Sequence, residues 1–232
     1  PRIYDEKLNP TDVSKFYINT YVERDVRQIL NVRDIIRFDS FLRLCAGRSG
    51  QIFSASALGE DAGINHNTVS AWLSVLEACF ITFLALPFHT NLVKRLIKAP
   101  KLFLTDVGLV SYLLGIESVN QIATHPLRGA LFQTLIAGEL VKHFCNRVKD
   151  PRLSYFRDSH GHEIDLVLEL ADRIIAIEVK SSATFHQEYL KGLAYFSALK
   201  HEKRVEQILV YAGDESFEVA NCRVLSYRHL PE

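Results

Sequence analysis

Glu178-Val179-Lys180 places a carboxylate and an amine two residues apart, and Glu163-Ile164-Asp165 places two carboxylates at the same spacing. On a β-strand, residues two apart project from one face. Asp165 and Glu178 lie 13 positions apart, enough for a hairpin that sets the two acids side by side on neighbouring strands. Such a pair repels itself unless a cation intervenes, and Mg²⁺ suits a partly hydrated site of hard oxygen ligands. An amine two positions on, Lys180, could then hold or deprotonate a water or stabilise charge developing on a phosphate. A further acid, Glu139, falls on the stripe Phe132, Ile136, Glu139, His143 of a long helical segment, where an inward-facing apolar residue is expected. The candidate set is Asp165, Glu178, Lys180 and Glu139, and an inward carboxylate at Glu139 suggests either a ligand or a charged partner. Taken alone, the Glu-Val-Lys triplet also fits an ordinary salt-bridged sheet edge.

These residues need a scaffold, and the second half of the chain predicts one. A helix is expected over Leu127–Val148, then strands over Leu153–Arg157, Glu163–Leu170 and Arg173–Ser181. A helix over Gln187–Leu199 and strands at Gln207–Tyr211 and Arg223–Leu225 follow. Alternation puts Ile164, Leu166 and Leu168 on one face of the second strand, opposite Glu163, Asp165, Val167 and Glu169. A helix between the third and fourth strands implies a parallel crossover in a mixed sheet. The turn His160-Gly161-His162 reads as solvated, with metal ligation the lesser alternative. Gln187 and Tyr189 read as surface residues at a helix start, with backbone phosphate contact the alternative.

The first half reads as helical. A helix over Thr11–Leu30 with Thr11 as its cap and another over Arg33–Ala46 are followed by two short helices meeting at Gly63, the second capped by Asn65. Leu58, Ala62, Ile64, Val69, Trp72, Leu73 and Leu76 meet at that corner, the spacing of a helix-turn-helix. A strand over Phe80–Leu86, a basic loop carrying Lys94, Arg95, Lys98 and Lys101, and a return strand over Leu102–Leu104 would form a wing. A short helix over Asp106–Leu114 ends at Gly115. The exposed face of the second helix offers His66, Asn67, Ser70 and Ser74 but no Arg or Lys, which weakens base-specific reading. Nucleic-acid contact through Lys94, Arg95, Lys98 and Asn67 and simple protein packing both stay open.

Composition narrows the class. The 232 residues carry 27 basic and 27 acidic side chains, split 13 to 12 before Pro126 and 14 to 15 after it, so any nucleic-acid contact must rest on a local patch. No apolar run approaches the roughly 18 residues of a membrane helix. The four cysteines are scattered without a Cys-x-x-Cys pair, which argues against zinc and disulfides and for a reducing, cytoplasmic setting. The chain opens on Pro1 and contains no Met, which reads as a piece whose natural N-terminus is missing.

The conjunction of helix Glu, hairpin Asp and strand Glu-x-Lys on an αβββαβ pattern resembles the PD-(D/E)XK nuclease superfamily, the restriction-endonuclease-like fold. The resemblance implies Asp165 and Glu178 as metal ligands, Lys180 as the residue that positions the attacking water, and Glu139 as an auxiliary acid. Ile164 stands where the superfamily often has Pro. Over nearly the whole chain, the segments TYVERDV (Thr20–Val26), GINHNTVSAWLSVLE (Gly63–Glu77), KRLIKAPKLFLTDVGLVSYLLGI (Lys94–Ile116) and GHEIDLVLE…IIAIEVKSS are similar to the C-terminal region of a prokaryotic AAA+-type ATPase family. The expected fold class is α+β: a helical segment over 1–34 following an absent ATPase domain, a winged helix-turn-helix over 35–120, and a nuclease-like domain over 121–232. Cys45-Ala46-Gly47-Arg48-Ser49-Gly50-Gln51 lacks the Lys of a phosphate loop, so ATP would act only through that ATPase domain. The implied function is a DNA-binding fragment with a Mg²⁺-dependent nuclease site, or a catalytically silent nuclease-like module that binds DNA or protein. DNA and the chain's own ATPase domain are the implied partners, oligomers are allowed, and no membrane is involved.

Overall fold

A computed structural model describes residues 6–20, 35–88, 99–149 and 153–230. It is a mixed α and β protein of two compact units. The first comprises Pro1–Leu84 and Leu102–Thr134, the second Ala85–Lys101 and Leu135–Glu232.

In the first unit, α1 (Pro10–Tyr17) is capped by Asn9, whose Oδ1 accepts from the Thr11 amide at 2.9 Å. Thr11 was the expected cap. Pro10 displaces it, because proline's missing N–H and fixed φ suit the first helical position. The remainder of the expected helix, residues 21–30, lies outside the described residues. Then come α2 (Ile35–Gly47), β1 (Gln51–Ile52), α3 (Ala55–Ala62) and α4 (His66–Ala78). The corner forms as its sequence predicts. Ser54 and Asn65 cap the two helices, and Gly63 adopts φ 64° at the end of α3. α4 buries Val69, Trp72, Leu73 and Leu76, and Trp72 meets Phe38 and Phe41 of α2 edge-on at 5.1 and 5.2 Å. Phe80, expected to open a strand, instead takes φ 57° and terminates α4, so β2 runs over Thr82–Pro87. β3 (Lys101–Leu104) and α5 (Val107–Leu113), capped by Asp106, follow. The polar stretch after Ser118 forms α6 (Val119–Thr124). Gln121 Oε1 accepts from the Glu117 and Ser118 amides at 2.7 and 3.1 Å. α7 (Arg128–Cys145) begins in the first unit and continues into the second.

In the second unit, β4 (Leu153–Arg157), β5 (Glu163–Glu169) and β6 (Arg173–Lys180) form an antiparallel meander. A 3₁₀ turn (Gln187–Leu190) and α8 (Lys191–Ala198) lead to β7 (Arg204–Tyr211), which pairs parallel with β6 from Arg173↔Arg204 to Lys180↔Tyr211. This is the expected crossover. β8 (Phe217–Val219) and β9 (Cys222–Ser226) complete the strand order β2-β4-β5-β6-β7-β9-β8. Ala220 and Asn221 both have positive φ, the geometry of a tight type I′ hairpin turn. Leu193 and Phe196 of α8 bury against Val167, Ala176 and Leu209. Gly192 permits this approach: a Cβ there would lie 2.9 Å from the Glu163 carbonyl oxygen.

At Gly59 of α3, a Cβ would lie 2.7 Å from the Ile64 carbonyl oxygen, a backbone atom of the corner itself. Gly59→Ala is expected to cost about 2 kcal/mol in urea unfolding. Gly63→Asn, at an open position where Asn tolerates the left-handed conformation, should cost well under half of that. Equal costs would contradict this packing.

Candidate metal and phosphodiester site

The β5–β6 register pairs Leu166 with Ile177 and Val167 with Ala176. Continued by one residue, it sets Asp165 opposite Glu178 on the face that α8 covers. Asp165 Oδ2 accepts from the Val179 amide at 2.9 Å. Glu178 is 9% exposed, and its Oε1 accepts from Lys180 Nζ at 2.6 Å. Its Oε2 is buried without a hydrogen-bond partner. Lys180 Nζ also stands 5.6 Å from the centre of the Tyr189 ring.

A second ammonium completes the cluster. Lys101, at the start of β3, is 3% exposed, with Nζ 2.6 Å from Glu163 Oε1 and 3.9 Å from Asp165 Oδ1. Lys101, expected as the last residue of the basic loop, is instead buried at the start of a strand. Its position immediately before the apolar run Leu102-Phe103-Leu104 was the available signal, since the first residue of a buried strand is itself a candidate for burial. Arg157 Nη1 lies 3.8 Å from Glu163 Oε2 at the rim.

Burial, and then the Asp165 charge, push the Glu178 carboxyl up to about 7. Burial also raises Asp165, against the opposing pull of Lys101 and Lys180. Burial works to lower Lys180, but its contact with Glu178 outweighs it and the ammonium is held above its ordinary value. The two acids titrate as a pair.

The residues fit a hydrated divalent cation. Asp165 and Glu178 offer hard oxygen ligands from adjacent strands, and Glu178 Oε2 is a buried acceptor with nothing to accept from. Among the described residues, no group of three or more His, Cys, Asp or Glu is arranged to hold a metal. A cation here would therefore take two carboxylates and complete its shell with water, as Mg²⁺ does.

The structure does not bring Glu139 to this cluster. It was expected to face inward, but it is 48% exposed and pairs with Lys142 at 2.9 Å. The buried stripe of α7 runs through Ile136, Ala137 and Val141. Glu139 lies two residues beyond Ala137, about 200° round the helix and so on the far side. It lines a separate groove of about 680 Å³ with Lys142, His143, Arg147 and Tyr227. Asn67 sits on the exposed face of α4, as expected. Lys94, Arg95 and Lys98 lie outside the described residues.

The His160-Gly161-His162 turn is tied down. Asp158, with its side chain 2% exposed, accepts from Tyr195 Oη at 2.8 Å and from the His160 and His162 amides, and lies 3.0 Å from His162 Nδ1. The His162 and Tyr195 rings stack at 3.6 Å. Burial opposes the Asp158 charge, but these hydrogen bonds prevail and hold its carboxyl at about 2.

Residues 1–120, more than half of the chain, match the family described as Domain of unknown function (DUF8612). The chain belongs to that family. Residues 128–230 of this DUF8612 member match a second, Domain of unknown function (DUF4143). Glu163, Asp165, Glu178 and Lys180 fall within the second match and Lys101 within the first. The chain is 27% identical over 209 residues to the uncharacterized proteins Mb2031c of Mycobacterium bovis and Rv2008c of Mycobacterium tuberculosis. The aligned stretch covers 90% of this chain and 45% of each relative, so the chain spans about half the length of the curated relatives it matches. No helix among the described residues is long and apolar enough to cross a membrane.

Two pH dependences follow. Folded Glu178 protonates near pH 7 against an ordinary 4.5. Between those values the native state keeps a proton that the unfolded chain has released, so stability falls as pH rises, by about 3 kcal/mol at pH 8. Thermal melts in EDTA should show this decline between pH 5 and 8, and Glu178→Gln should flatten it; an unchanged slope would contradict the assignment. Asp158 runs the other way. Its stabilisation is present above pH 3.8 and lost as pH falls toward 2. Asp158→Asn should therefore cost about 2 kcal/mol at pH 7, read by urea unfolding.

Proposed function

We propose that the second unit is a Mg²⁺-dependent phosphodiesterase of the PD-(D/E)XK type, acting on DNA as the C-terminal part of an AAA+-type ATPase. The observation that carries this reading is the pairing of Asp165 with a buried Glu178 whose Oε2 lacks any partner, with Lys180 on the same face. DUF4143 domains commonly occur with AAA-type ATPases, which supports the wider assignment.

Asp165 and Glu178 would hold the cation, and Glu178 would release its proton on binding. When bound, Mg²⁺ supplies Lewis-acid stabilisation of phosphoryl oxygen and acidifies a bound water. Lys180, partly exposed where Lys101 is not, is the ammonium that can reach a substrate phosphate or orient the attacking water. Val179 fixes the Asp165 carboxylate through its amide, so the ligand direction is set by the β5–β6 ladder rather than by a mobile side chain. The α3–α4 corner, as a winged helix, would contact nucleic acid through Asn67 and the Lys94, Arg95 and Lys98 segment. With no cation on the outer face of α4, that contact would be largely to phosphates.

A second reading, a catalytically silent nuclease-like module serving DNA or protein binding, is favoured by the exposure of Glu139 and by the charge that Lys101 already supplies to the acids.

Cleavage of linear DNA in Mg²⁺ or Mn²⁺ separates the two. Under the nuclease reading, wild type cuts, Asp165→Asn and Lys180→Ala fall by at least about 100-fold with similar melting temperatures, and Glu139→Gln stays within about twofold. Equal activity in wild type and Asp165→Asn would refute it. DNA binding without cleavage would favour the silent module.

A further inference from the structure

Lys101 is the feature the catalytic reading does not absorb. Removing an ammonium from water is costly unless it is paired and hydrogen-bonded. This one is 3% exposed, so its position is specified rather than incidental. Tyr155, fully buried on β4, contributes twice to that specification. Its hydroxyl donates to the Ala99 carbonyl oxygen two residues before Lys101, and its ring centre lies 5.2 Å from Lys101 Nζ. The ammonium cannot reach a substrate at the surface. What it reaches is Glu163 at 2.6 Å and Asp165 at 3.9 Å.

Resting on the metal-site reading above, we infer that Lys101 is a built-in counter-ion that competes with the divalent cation at this site. Fully ionised, Glu163, Asp165 and Glu178 carry three negative charges, and Lys101 and Lys180 return two. A divalent cation entering the cluster meets one net negative charge with Lys101 in place and two without it. It must also share Asp165 with an ammonium already within 4 Å. Lys101 therefore keeps the acids together in the metal-free protein and weakens the cation's hold. It is a positioning residue, acting on the metal ligands and not on substrate. The site is thereby set to load at a higher cation concentration than its two carboxylates alone would require.

The sign of the effect distinguishes this from a merely structural role. A lysine that only props up the site would, when removed, leave cation binding weaker or unchanged. A competitor, when removed, makes it tighter. The test is calorimetric titration of the 232-residue chain with Mn²⁺ at fixed ionic strength. Wild type is compared with Lys101→Met, Lys101→Gln, which keeps a donor for Glu163, and Lys101→Arg, which keeps the charge; thermal melts verify folding. Lys101→Met and Lys101→Gln should bind Mn²⁺ at least about tenfold more tightly than wild type, and Lys101→Arg within about twofold. Adding Asp165→Asn should abolish binding in every background. If wild type binds, Asp165→Asn does not, and the neutral variants bind no more tightly than wild type, the competition is overturned while the metal site stands. If no variant binds Mn²⁺, the metal site itself falls and the competition with it. Binding by the neutral variants alone would support the competition in its strongest form.

Discussion

Two carboxylates on neighbouring strands, largely shielded from water, cannot both remain ionised without positive charge beside them. Unit charges about 4 Å apart interact by about 1 kcal/mol even in water and by several times that at a protein's effective dielectric. The Asp165–Glu178 pair is therefore tightly constrained. Lys180 and Lys101 supply positive charge, Glu178 lets go of its proton only near neutrality, and Gly192 lets α8 close over the same face. The hairpin, the crossover helix and the two lysines are arranged around that repulsion.

This balance also explains how one arrangement can serve two outcomes. Under the proposed nuclease reading, a cation would make the acids its ligands and would leave Lys180 beside a substrate phosphate. Without one, the lysines and a shared proton neutralise the pair, and the fold keeps its core. The sheet does not need a metal to hold together: Val167, Ala176 and Leu209 bury against α8.

Much of this was legible from spacing. Alternation along Glu163–Glu169 and Arg173–Lys180 assigned the faces, because a strand's period of two leaves no other choice once Leu166, Leu168 and Ile177 must be buried. The α3–α4 corner was readable from Ser54, Gly63 and Asn65, whose cap and turn roles are local. Glu139 was misread because Phe132, Ile136 and His143 suggest an inward stripe, whereas burial on α7 centres on Ala137. Small residues mark a close packing face as well as large ones do, and a scan for bulky apolar positions passes over them. Lys101 was misplaced for a different reason: its burial depends on acids 62 and 64 positions away, which no local window joins. The last strand, expected at Arg223–Leu225, is present as β9, but β8 and the turn joining them are not legible, because Ala220-Asn221 makes a turn usually built from Asn-Gly.

The proposed site requires that Asp165 and Glu178 share one divalent cation. Anomalous diffraction from a crystal soaked in Mn²⁺ tests it most directly. A single strong peak is expected within bonding distance of both carboxylates, with Glu178 Oε2 among the ligands and water completing the shell. Peaks confined to other acidic side chains, with Glu178 Oε2 still unpartnered at saturating Mn²⁺, would contradict it.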